Sequence, residues 1–212
     1  MAWNRYGVYW LPRGPLGRAG AGWLGWNARA GEAMPDPGPD TEGPRRYGFH
    51  ATLKPPFRLR GGEGALRAAG RTLAAALAPV APVPFAATRM GRFLALRPEE
   101  DGPARALAAA LVEGLDAFRL TPPPEEVARR RAQGLTPRQA AMLRRWGYPF
   151  VMGEHRLHLT LTGPDPSAAV EAEARDRLAP ALAAPHGIDR AALVGEDGEG
   201  RFHLLEEWPL GG

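Results

Sequence analysis

Arg45-Arg46-Tyr47-Gly48-Phe49-His50-Ala51-Thr52-Leu53-Lys54-Pro55-Pro56-Phe57 is the stretch on which the fold turns. Its centre returns about a hundred residues later, in Glu154-His155-Arg156-Leu157-His158-Leu159-Thr160-Leu161-Thr162-Gly163. Both contain His-x-Thr-Leu among β-formers. Side chains alternate between the two faces of a strand. His50, Thr52 and Lys54 are therefore expected on one face, with Ala51 and Leu53 on the other. In the second copy Arg156, His158, Thr160 and Thr162 should share a face, opposite Leu157, Leu159 and Leu161. Each copy offers an imidazole and a hydroxyl on a strand whose back can be anchored in a core. Two such strands meeting at a cleft would make an acid–base pair ringed by hydroxyl donors. A single copy suits a structural histidine equally well; the repetition is what points to a site.

Outward from these motifs, periodicity predicts the remaining elements. Residues 5–10 read as a strand, 15–26 as a helix and 31–44 as a loop rich in Pro, Gly and Asp. Pro55-Pro56 should close the first motif strand. A helix over 63–78 and two strands near 83–88 and 92–97 complete the first half. In the second half, helices are expected over 103–118, 127–133 and from Thr136-Pro137 to Gly147, with Thr136 as N-cap. The second motif strand, a helix over 166–183 and closing strands at 188–195 and 201–207 follow. The order motif strand, helix, strand, strand occurs twice. It predicts one α+β domain with two pseudo-symmetric antiparallel-sheet lobes, roughly 1–100 and 103–212, flanked by helices. The Arg-rich helices between 103 and 146 interrupt the symmetry.

Composition narrows the chemistry. The chain of 212 residues, 44% of them hydrophobic, is long enough for a substantial core. Its 27 Gly and 23 Pro fall between patterned segments rather than in repeats. Cysteine is absent, which removes thiolate nucleophiles, disulfides and cysteine metal sites. The one serine, Ser167, sits at a helix start, so a Ser-His-Asp hydrolase is not expected. No apolar run suffices for a membrane span, no signal peptide is read at Met1–Tyr6, and a cytoplasmic location is expected. The net charge of +4 is mild for a dedicated nucleic-acid binder. Lys54 is the sole lysine among 27 basic residues, which singles it out as a position where a compact ammonium could be needed.

The two His-x-Thr-Leu motifs, together with the long first string, Trp146-Gly147-Tyr148-Pro149-Phe150-Val151-Met152 and Trp23-Leu24-Gly25, resemble the two-histidine (2H) phosphoesterase superfamily. Within it they resemble a bacterial branch associated with phosphonate-utilisation operons. That resemblance implies a bilobed fold and a metal-independent cyclic phosphodiesterase with no cofactor. His50 and His158 would be the catalytic acid and base, with Thr52 and Thr160 on the phosphoryl oxygens. A cyclic phosphate of ribose is the substrate the branch implies. Processing of RNA 2′,3′-cyclic ends, and a non-catalytic nucleotide- or RNA-binding protein, are the alternatives. The face argument alone adds Lys54 and Arg156 as holders of a second charged group. Tyr6 and Tyr47 could stack on a base or sugar, or be buried in the core. His155 and His158 have opposite parity and should not share a metal ion. His155, His186 and His203 are expected to be surface or structural. The arginines of 125–145 form either a solvated face or a steering surface for phosphorylated ligands. Oligomeric state is open.

Overall fold

The computed structural model describes residues 3–132 and 134–212; Met1, Ala2 and Gln133, the expected end of a helix, lie outside the described residues. In chain order the elements are β1 (Tyr6–Trp10), α1 (Gly14–Leu24), β2 (Trp26–Asn27), β3 (Glu32–Ala33), α2 (Glu42–Arg45), β4 (Ala51–Phe57), α3 (Glu63–Ala75), β5 (Val80–Val83), β6 (Phe85–Met90), β7 (Phe93–Pro98) and α4 (Gly102–Gly114). Then follow α5 (Pro124–Arg131), α6 (Pro137–Trp146), β8 (Leu159–Thr160), α7 (Ala168–Leu178), β9 (His186–Ile188), β10 (Arg190–Glu196) and β11 (Phe202–Pro209).

The two motif strands, β4 and β8, lie side by side at the middle of an antiparallel sheet ordered β11-β10-β1-β4-β8-β7-β6. The expected α+β class and the antiparallel sheet with flanking helices are both present. The strands, however, are not shared out as residues 1–100 and 103–212. Hairpin β6-β7 from the first half of the chain pairs onto β8, while β10-β11 from the second half flanks β1 and β4. The two halves of the sheet meet at a short seam, where Ala51 opposes Leu159.

One face of this sheet is the core. Val8, Leu53, Leu94, Leu96, Leu159 and Leu193 meet Leu16 and Trp23 of α1, Leu66 of α3, Leu111 of α4 and Leu178 of α7, all fully buried. Each such side chain contributes roughly 1.5–3 kcal/mol by leaving water. Close packing extends to backbone: a Cβ at Gly70 would lie 2.1 Å from the Trp208 indole, so that ring lies flat on α3 only because residue 70 is glycine. The opposite face holds a smaller cluster of Tyr9, Leu11, Ala192, Val194 and Phe202. The motif side chains stand on that second face.

Several boundaries differ from expectation. Strand β4 runs through Pro55-Pro56 to Phe57. Beyond Ala51 its ladder is to β1 alone, so the prolines remove no hydrogen bond on the other side. The second motif strand shrinks to Leu159–Thr160, preceded by a 3-10 turn at Met152–Glu154 and irregular chain. The loop after α1 contains β3 and the one-turn α2. Helix α4 stops at Gly114, before a 3-10 turn at Asp116–Phe118. Helix α6 forms as read: Thr136 Oγ1 accepts from the Gln139 N–H (3.2 Å) and Gln139 Oε1 from the Thr136 N–H (3.1 Å). This reciprocal cap contributes about 1 kcal/mol. Gly147, at φ 73°, ends the helix and aims Tyr148 toward the motif strands.

Candidate active site

His50, Thr52, His158 and Thr160 all line one cavity of about 320 Å³. The register explains why. With Ala51 opposite Leu159, one further residue in each direction sets His50 beside Thr160 and Thr52 beside His158. Such cross-strand neighbours have Cβ atoms roughly 5 Å apart. The two histidines thus occupy diagonal corners of a near-twofold quartet, with a threonine at each remaining corner.

Each imidazole is held in the same way. His50 Nδ1 donates to the carbonyl of Gly48 (2.9 Å), and His158 Nδ1 donates to the carbonyl of Arg156 (2.7 Å). A carbonyl only accepts, so Nδ1 carries the proton and Nε2 is the titrating atom on each ring. Thr52 Oγ1 lies 3.3 Å from His50 Nε2. Burial pushes the His50 pKa down to about 4, opposed by the Gly48 carbonyl and assisted by His158. Burial also lowers His158, against the Arg156 carbonyl. Both rings are neutral bases at pH 7. Gly48 makes the first arrangement possible: its φ is +71°, and a Cβ there would also lie 2.7 Å from the Ala28 methyl.

Lys54 is not in this cavity. Tyr9 pairs with Thr52 and Val8 with Lys54, so one step along β1 spans two along β4. This bulge swings Lys54 to the core side, 2% exposed, where its ammonium donates to the Val112 carbonyl (3.0 Å) and lies over Phe57. Burial lowers its pKa to about 8. Tyr6 is likewise in the core, with its hydroxyl on Glu63 (2.8 Å). Arg156 is exposed and lines a neighbouring cavity with Met90, Phe93 and Phe150, because residues 155–158 do not form the regular strand that the parity argument assumed. Tyr47 does line the motif cavity, stacked on Phe202 with ring centroids 5.1 Å apart.

The remaining histidines are structural. His155 is buried and donates from Nε2 to the Thr52 carbonyl (2.9 Å), tying the second motif to the first. His186 bonds the Ala181 carbonyl, and His203 bonds Asp197. Among the described residues no three His, Asp or Glu side chains converge as metal ligands.

Four wall residues escaped the sequence reading: Arg5, Tyr9, Arg130 and Tyr148. Tyr9 stacks on His50 at 4.0 Å between centroids. It shares a face with the motif because it stands opposite Thr52, a pairing that no local pattern discloses. Arg130 comes from α5 and lies over the Tyr148 ring at 4.6 Å. Arg5 is held bidentately by Glu196.

A family model described as a protein of unknown function (DUF1045) matches residues 52–203. Two curated bacterial proteins are similar, both described as ribose 1,5-bisphosphate phosphokinase PhnN. The protein from Janthinobacterium sp. (strain Marseille) is 34% identical over 218 residues, covering 92% of this chain and 48% of that protein. The protein from Laribacter hongkongensis (strain HLHK9) is 38% identical over 171 residues, covering 74% and 40%. The chain therefore spans about half, or less, of the length of these relatives. Among solved structures, E. coli LigT complexed with NADP+ (15% identity, TM-score 0.47) and a phosphoesterase (13% identity, TM-score 0.49) each align over 99% of both chains. No helix among the described residues is long and apolar enough to cross a membrane.

Proposed function

The chain belongs to the DUF1045 family, and from that footing we propose that it is a phosphoesterase of the two-histidine type, opening cyclic phosphates without need of a metal. One observation carries the reading. Two copies of one tetrapeptide bring His50 and His158 to a single cavity, each pinned through Nδ1 by the carbonyl two residues upstream.

In the proposed reaction, water attacks the phosphorus of a cyclic phosphodiester. Nε2 of one histidine takes the water proton as the new P–O bond forms. Nε2 of the other, protonated on substrate binding, gives its proton to the ester oxygen as the ring P–O bond breaks. Water is added, a phosphomonoester forms and no net proton is consumed within the site. Such positioned proton transfers contribute about 10²–10⁴-fold. Thr52 and Thr160 donate to the non-bridging oxygens, whose charge they hold through the transition state. The anionic phosphate raises the lowered histidine pKa values and so supplies the acid form that the free site lacks at neutral pH.

A phosphorylated ribose is the proposed substrate class, in keeping with the ribose bisphosphate chemistry printed for the relatives. Their kinase activity is not proposed for this chain. It contains no Gly-x₄-Gly-Lys-Ser/Thr phosphate loop, and its one lysine is buried on the Val112 carbonyl.

The test is a panel of cyclic phosphates, covering ribose 1,2-cyclic, nucleoside 2′,3′-cyclic and RNA 2′,3′-cyclic ends, followed by phosphorus NMR. Ring opening to a monoester is expected, with at least a thousandfold loss in His50→Asn and in His158→Asn. Near-full turnover in either variant, with the fold intact by circular dichroism, removes this reading.

A further inference from the structure

We infer that the cavity holds a second anionic subsite, built by Arg130, Arg5 and Tyr9, that takes a phosphomonoester carried by the same substrate. The inference rests on the phosphoesterase reading for what occupies the His–Thr end, and on separate observations for the other end.

Tyr9 is fully buried, and its hydroxyl has no protein partner although it borders the cavity. The Nε of Arg130 is likewise buried and unpartnered. A buried polar group without a partner costs about 1–3 kcal/mol, so two such donors on one cavity wall call for an acceptor that enters from outside. The charges around Tyr9 come from Arg5, Tyr47 and Tyr148, which places two guanidiniums and three phenol rings at this end. Tyr9 itself is held neutral by burial, as a donor must be.

Both guanidiniums are fixed before any ligand arrives. Glu196 grips Nε and Nη2 of Arg5, leaving Nη1; Glu126 takes Nη2 of Arg130, which Tyr148 supports from below its plane. Carboxylates anchor the two cations without using the groups that would meet a ligand. A phosphomonoester, with three acceptor oxygens and a charge near −2, matches donors of this kind. A cavity of about 320 Å³ has room for a pentose between the two ends. The second charged group, assigned on sequence to Lys54 and Arg156, belongs instead to residues on β1 and α5.

The experiment compares kcat/KM for a ribose cyclic phosphate bearing a free 5-phosphate with that for the same compound lacking it. Wild type should prefer the former by about 10–100-fold, the range one or two charge-assisted contacts supply. Arg130→Gln, and more mildly Tyr9→Phe, should collapse the preference toward unity. A preference unmoved by both variants, or absent in wild type, overturns the subsite while leaving the phosphoesterase reading intact. If neither compound turns over, the phosphoesterase reading fails on its own, and calorimetry with ribose 5-phosphate decides the subsite. At least tenfold weaker binding in Arg130→Gln upholds it, and equal binding overturns it.

Discussion

At the residue scale, the site is two neutral imidazoles in a place that excludes water. Catalysis needs one proton shared between them, and that population is greatest between the two macroscopic pKa values of the pair. His50 is held near 4 and His158 below its ordinary 6.5, both chiefly by burial. The acid form therefore becomes scarce as pH rises above the lowered values. Plots of kcat/KM against pH should peak below about pH 6.5 and fall toward pH 8. A cyclic phosphodiester without a second phosphate is the substrate to use, since a monoester titrates near pH 6 and would intrude. A rate that is flat or climbing from pH 6 to pH 8 contradicts the lowered values. His50, Thr52, His158 and Thr160 were legible in the sequence because the chemistry is written twice in a four-residue unit. Arg5, Tyr9, Arg130 and Tyr148 were not, because each comes from a different element and only the tertiary fold brings them to one wall.

At the scale of the element, β4 shows how far alternation can be trusted. It holds from His50 to Thr52 and fails at Lys54, where the bulge inserts one residue against β1. Sequence spacing assigned the lone lysine to the phosphate; the strand instead carries it into the core beneath α4, with one carbonyl for a partner. Its pKa drops from 10.5 to about 8 because the buried ammonium is penalised. The sign follows. Between those values the unfolded chain binds more proton than the folded one, so stability climbs with pH across that window, and below about 8 the full penalty is present. Lys54→Met fills similar space without the charge. It should raise stability at pH 7 by roughly 1–3 kcal/mol, with the advantage shrinking from pH 8 to pH 10.5. Turnover should stay within about twofold, because Lys54 faces away from the cavity. Chemical denaturation at the two pH extremes reads the first part, and a large activity loss would return Lys54 to the site.

At the scale of the whole molecule, the duplication so visible in the sequence does not produce two self-sufficient halves. The chain reads as two successive units with a boundary near residue 100, and that reading is right about the order of elements. What it could not supply is strand order, because pairing is decided by tertiary packing rather than by local pattern. Hairpin β6-β7 has only β8 to pair with, β1 sits between β4 and β10, and the core joins Leu94 and Leu96 to Leu159, and Val8 to Leu193. Cutting the chain between Asp101 and Gly102 would leave the first fragment with β1-β4 and β6-β7 as two separate pairs. The second fragment would retain β10-β11 and a β8 without neighbours. Two-stranded pieces of this kind are marginal in water. Fragments 1–101 and 102–212 should each lack a cooperative thermal transition, and mixing them should restore one, along with the histidine cavity that neither can form alone. Cooperative melting of either isolated fragment would mean that the seam between β4 and β8 joins two finished lobes, and that the active site is an interface between them rather than the middle of one sheet.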